Sequence, residues 1–83
     1  MRIKTYGGAN ETLVEMDGEH VDEVLFSYST PVAAFVPGIG YVRTTEHYSS
    51  TTTRHITRYL DENGGTDRSA AQEVTQSVLD GMR

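Results

Sequence analysis

The run Ser49-Ser50-Thr51-Thr52-Thr53, followed at once by Arg54, His55, Ile56 and Arg58, fixes where this chain changes from one kind of secondary structure to another. Short hydroxyl side chains compete with the backbone for its own hydrogen bonds. They are therefore poor inside a helix and strong at its N-terminus, where they accept from amides that have no intrahelical partner. Before the run, apolar residues alternate with polar ones. After it, Ile56, Tyr59 and Leu60 recur at spacings of three and four, with Thr52 and Thr53 a turn earlier. The chain is thus β-rich first and helical second, which predicts an α+β fold.

The β half is punctuated by turn residues. Residues 1–6 alternate Ile3 with Arg2 and Lys4, Gly7-Gly8-Ala9-Asn10 breaks the pattern, and residues 11–16 alternate again with Leu13 on the face of Glu11 and Glu15. Asp17-Gly18 is a two-residue hairpin signal. Residues 24–36 are the most strand-like stretch, rich in β-branched and aromatic side chains. Pro31 lies inside it, and because proline has no N–H for the ladder, a bend at Thr30-Pro31 or a bulge is expected there. Pro37-Gly38-Ile39-Gly40 turns the chain back, and residues 32–36 against 41–45 should form the centre of the sheet.

These features predict a small antiparallel sheet of four to five strands over residues 1–46, then helices over about 50–62 and 67–81, both packed on one face. Ser50 is the expected N-cap of the first helix, and Asn63-Gly64-Gly65 ends it. In the second, Ala70, Ala71, Val74, Val78, Leu79 and Met82 form a stripe of mostly small side chains. Nothing divides the 83 residues, so the expectation is a single domain spanning 1–83.

There is no cysteine, which removes disulfides, thiolate metal sites and cysteine nucleophiles and fits a reducing compartment. No apolar run approaches the roughly 18 residues of a membrane span, so a cytoplasmic location is expected, the host cytoplasm if a phage encodes the chain. The net charge of −5 is unevenly spread: residues 11–42 hold no Lys or Arg. Glu15, Asp17, Glu19, Asp22 and Glu23 make this stretch a candidate acidic docking surface for a basic partner. The cations gather after it, and Ser50, Thr51, Arg54, His55 and Arg58 form the candidate anion or nucleic-acid site. A helix N-terminus offers free amides and a partial positive charge, and Arg54 and Arg58 share a face four residues apart.

No catalytic residue, metal or cofactor is assigned. Pairing Glu46, His47 and His55 as metal ligands has no recognised spacing behind it, and no acid is placed by the spacing to orient His55 as a base for Ser50 or Thr51. Tyrosines on a sheet can stack nucleobases, but the neighbouring strands are acidic.

The segment Ser27-Tyr28-Ser29-Thr30-Pro31-Val32-Ala33 and the later Tyr48-Ser49-Ser50-Thr51-Thr52-Thr53-Arg54-His55-Ile56 together resemble a group of small uncharacterised proteins of bacteriophages and other mobile elements. The resemblance covers about residues 24–60 and is carried by Tyr28, Thr30, Pro31, Ser49, Thr51, Thr52 and His55. It implies a viral or prophage origin and no catalytic residue. The expected function is therefore non-enzymatic: an accessory protein that binds a host or phage protein, an anti-CRISPR among the candidates, as a monomer or homodimer. A nucleic-acid or phosphate-binding module is the alternative.

Overall fold

The computed structural model of the chain describes residues 2–5, 10–16, 21–64 and 71–82. Strands β1 (Arg2–Thr5), β2 (Glu11–Glu15), β3 (Glu23–Ser27), β4 (Thr30–Val36) and β5 (Gly40–Thr44) precede helix α1 (Ser50–Gly64), strand β6 (Gln72–Val74) and helix α2 (Gln76–Asp80). The expected α+β class holds. The sheet has the order β1-β2-β3-β4-β5-β6, so each strand lies beside its neighbour in sequence. The first five strands form an antiparallel meander, and β6 joins β5 in parallel after the chain has crossed over through α1. The expected pairing of residues 32–36 with 41–45 is present as Ala33↔Arg43 through Val36↔Gly40, but the middle of the sheet is the β3–β4 pair.

Two corrections follow from how the sheet is covered. The helices lie on opposite faces, not on one. Leu13, Leu25 and Ala33 stand in register across β2, β3 and β4 and pack with Ile56, Tyr59 and Leu60 of α1. The alternate residues Val14, Val24, Ala34 and Val42 point the other way, and Val24, Ala34 and Val42 pack with Leu79 of α2. Because the central strands are apolar on both sides, each face needs its own cover. The second correction concerns the expected helix over 67–81. Residues 72–74 are strand β6 and helix begins only at Gln76, while residues 65–70 lie outside the described part. The small-residue stripe was shared between the two cores: Ala71 enters the first cluster, and Val74, Leu79 and Met82 join the second. The Asp17-Gly18 turn likewise lies outside the described residues.

Pro31 produces a bulge, and the bend falls elsewhere. Leu25 pairs with Ala33 and Phe26 with Pro31, leaving Val32 as the extra residue of β4. Val32 and Ala33 consequently both enter the core beneath α1. The turn itself is Tyr28-Ser29, two residues before the expected site, and Tyr28 takes φ 60°.

Candidate functional site

The Tyr28-Ser29 turn and the start of α1 meet on the same side of the sheet. Ser49, not Ser50, caps the helix: its hydroxyl accepts from the Thr52 amide at 3.1 Å and its carbonyl accepts from the Thr53 amide at 3.0 Å. That choice rotates Thr52 and His55 toward β3. Thr52 Oγ1 lies 3.0 Å from Ser27 Oγ, and Ser27 Oγ lies 2.8 Å from His55 Nδ1. On its other side His55 Nε2 is 3.4 Å from Oε1 of Glu11, a carboxylate only 1% exposed that also pairs with Arg58.

For a neutral His55, the neighbouring Glu11 carboxylate sets the direction of this chain of hydrogen bonds. A carboxylate only accepts, so Nε2 carries the imidazole proton and Nδ1 accepts from Ser27. Ser27 has one hydrogen and has given it to His55, so Thr52 donates to Ser27. Ser49 then donates to Thr52, across 3.3 Å. Burial, and secondarily the Arg54 guanidinium, lower the pKa of His55, which favours this neutral form.

Ser27, Thr52 and their neighbours close one end of an open depression of about 190 Å³, lined also by Tyr28, Thr30, Val32, Tyr48 and Ser49. Tyr28 and Tyr48 are 53% and 47% exposed and form its rim. Partial burial, then the carboxylates of Glu46 and Asp80, raise the pKa of the Tyr48 phenol. A tyrosine at positive φ is an outlier, since a two-residue hairpin turn with φ > 0 at its first position ordinarily selects glycine. Here the Tyr28 amide donates to the Asn10 carbonyl at 2.6 Å, and the ring stands 6.2 Å from that of His55. Tyr28→Gly should accordingly raise stability by about 1 kcal/mol in a urea melt; an unchanged or lowered midpoint would show that the ring's contacts outweigh the strain.

A second, larger cleft of about 590 Å³ opens on the other side of His55, lined by Glu11, Thr51, Arg54, His55, Thr57, Arg58 and Asp61. It gathers Thr51, Arg54, His55 and Arg58 of the sequence-predicted anion site, whereas Ser50, exposed at the head of α1, is not part of it. Of the acidic candidates, Glu15 and Glu23 are direct cross-strand partners, and Glu23 accepts a 2.6 Å hydrogen bond from Tyr59. Asp22 is exposed, and Asp17 and Glu19 lie outside the described residues. No three His, Asp or Glu side chains are grouped to hold a metal among the described residues.

Sequence reasoning overlooked Glu11, Ser27 and the two rim tyrosines as parts of a site. The signal for Glu11 was its place on the same face as Leu13, which the structure buries. Ser27 carried no such signal, since its hydroxyl joins the two halves of the resemblance motif only in the assembled fold.

Compared with known proteins, residues 1–77 match the model of a family of unknown function, DUF8033. No curated protein and no solved structure matches the chain. No helix, among the described residues, is long and apolar enough to cross a membrane.

Proposed function

We propose that this chain, which belongs to that family, is a small accessory protein that acts by binding another protein at the mouth of the Tyr28–Tyr48 depression. The observation that carries the reading is the pair of half-exposed tyrosines, one of them held at φ 60°. A fold that keeps an aromatic side chain in a strained turn and leaves its ring in water gives up stability for that presentation. Tyrosine is also among the residues that dominate protein–protein binding, because a large rigid ring is desolvated at little entropic cost. An origin in a bacteriophage or mobile element, with a host defence system as the target, is the finer form of the proposal. It is supported by the Ser27–Ala33 and Tyr48–Ile56 motif, several of whose residues surround this depression.

The alternative, a phosphate or nucleic-acid module, is favoured by the convergence of Thr51, Arg54, His55 and Arg58 on one cleft. It is weakened by Glu11 and Asp61 in the same lining, which offset the two guanidinium charges.

Affinity capture from cells that produce the protein separates the two. The wild-type chain should retain a protein after nuclease treatment, and Tyr28→Ala with Tyr48→Ala should reduce its recovery at least about tenfold, the loss of two contact tyrosines. Undiminished recovery would remove the depression as the docking surface. Recovery that vanishes with nuclease, and with Arg54→Ala plus Arg58→Ala, would transfer the function to the cleft.

A further inference from the structure

We propose that the Tyr28–Tyr48 depression is a guanidinium site that receives an arginine side chain of the partner protein. This rests on the protein-binding reading above and names the chemistry of the partner. The first argument is the polarity of the hydroxyls. With His55 neutral and carrying its proton on Nε2, beside the Glu11 carboxylate, Ser27 donates to Nδ1, Thr52 to Ser27 and Ser49 to Thr52, so that in this tautomer the three hydrogens point along the chain toward Glu11. What these three hydroxyls can still offer to the depression is oxygen lone pairs, and the Thr30 hydroxyl beside them can also turn to accept, which favours a ligand rich in donors.

The second argument is the rim. Two half-exposed tyrosines stand in the lining, aromatic faces attract cations, and among the described residues no Lys or Arg lines the depression. Tyr48 also feels the carboxylates of Glu46 and Asp80, which place negative charge at this end of the molecule. The N-terminus of α1 acts in the opposite sense, worth about 0.5 of a charge before screening. Part of that positive end is already satisfied by the Ser49 cap.

Arginine fits better than lysine. Its planar group stacks on tyrosine and brings five N–H donors to several acceptors, whereas an ammonium is more strongly hydrated and has three. A depression of about 190 Å³ is matched to the tip of one side chain and is smaller than a site for a whole small-molecule ligand. The net charge of −5 favours approach of a basic surface as a whole.

The test is a titration of the ¹⁵N-labelled protein with N-acetylarginine amide, followed by amide chemical shifts, with N-acetylcitrulline amide as the neutral isostere. Saturable shifts at residues 28–30, 49 and 52 are expected, with a dissociation constant on the order of millimolar. Tyr48→Ala should weaken binding roughly three- to fivefold and Tyr48→Phe should largely preserve it, since the ring face is the contact. Equal binding of the citrulline compound, shifts confined to Thr51, Arg54 and Arg58, or no saturable shift would each overturn the proposal. If the arginine titration fails while Tyr28→Ala/Tyr48→Ala still loses the captured protein, the docking surface stands and only its chemistry is wrong. If both fail, the protein-binding reading falls with it.

Discussion

Tyr59→Ala is expected to lower the stability of the fold by about 3–5 kcal/mol. Tyr59 is fully buried, its ring meets Tyr41 edge to face at 5.6 Å, and its hydroxyl donates to Glu23 at 2.6 Å. It lies in the same cluster as Leu13, Leu25 and Leu60, so it joins α1 to the first face of the sheet. Removing a buried aromatic ring costs about 3–5 kcal/mol. A domain of 83 residues has about 4–12 kcal/mol to lose, at 0.05–0.15 kcal/mol per residue. Circular dichroism in a urea series gives the comparison directly. Tyr59→Phe keeps the ring and forfeits only a hydrogen bond to a carboxylate, so it should lose about 1.5–3 kcal/mol. If Tyr59→Ala unfolds within about 1 kcal/mol of wild type, the packing of α1 on this face is not a main source of stability.

Ser27→Ala is expected to lower stability by about 2–4 kcal/mol, more than its single hydroxyl suggests. The cost lies in what remains: His55 Nδ1 is left without its partner and Thr52 Oγ1 keeps only Ser49, both on buried residues, and an orphaned polar group costs about 1–3 kcal/mol, with the weakened Thr52 adding about 1 kcal/mol. The same network gives the protein a pH dependence. His55 has a lower pKa folded than its ordinary 6.5, so below 6.5 the unfolded chain takes up a proton that the folded chain resists. The contribution of neutral His55 is complete above that value and declines as pH falls from it toward the folded pKa. Urea midpoints at pH 7.5 and 5.5 should therefore fall in wild type, and His55→Gln should reduce the difference. A variant with the wild-type pH slope would show that His55 is not its source.

The sequence made the α+β order readable because hydroxyl capping and turn chemistry are local. Ser49–Thr53 marks the start of α1, and Pro37-Gly38 marks a turn, whatever the rest of the chain does. The choice between Ser49 and Ser50 as cap was not readable, since either hydroxyl could serve and the decision depends on which register brings His55 to Ser27. The second helix was misplaced for a related reason. Ala71, Val74, Leu79 and Met82 satisfy a helical spacing, but two opposite cores divide them, and only the sheet's two-sided coverage reveals that. Thr51, Arg54, His55 and Arg58 line one cleft because they share one helix face, a spacing visible in the sequence. Glu11 escaped because it comes to them from β2, distant in sequence, and its partnership with His55 and Arg58 is a property of the assembled fold.

The meander bears on the order in which the molecule assembles. Strands β1 to β5 join sequence neighbours, so each pairing closes a short loop and the sheet can grow by small steps. The β5–β6 pairing is different: Arg43 and Glu73, which meet at 2.6 Å across it, are 30 residues apart. Its entropic cost is recovered only once α1 lies on its face and carries the chain across. The separation of the contacts therefore predicts an early antiparallel sheet and a late closure, to be seen as weaker amide protection of β6 and α2 than of β2–β4 in native-state hydrogen exchange. Until that closure Val24, Ala34 and Val42 lack the cover of Leu79, and a nascent or locally opened chain presents this second face to other molecules. The three-residue β6 and five-residue α2 thus form a clasp over this face, and on this account its opening is what would expose the chain to aggregation and proteolysis.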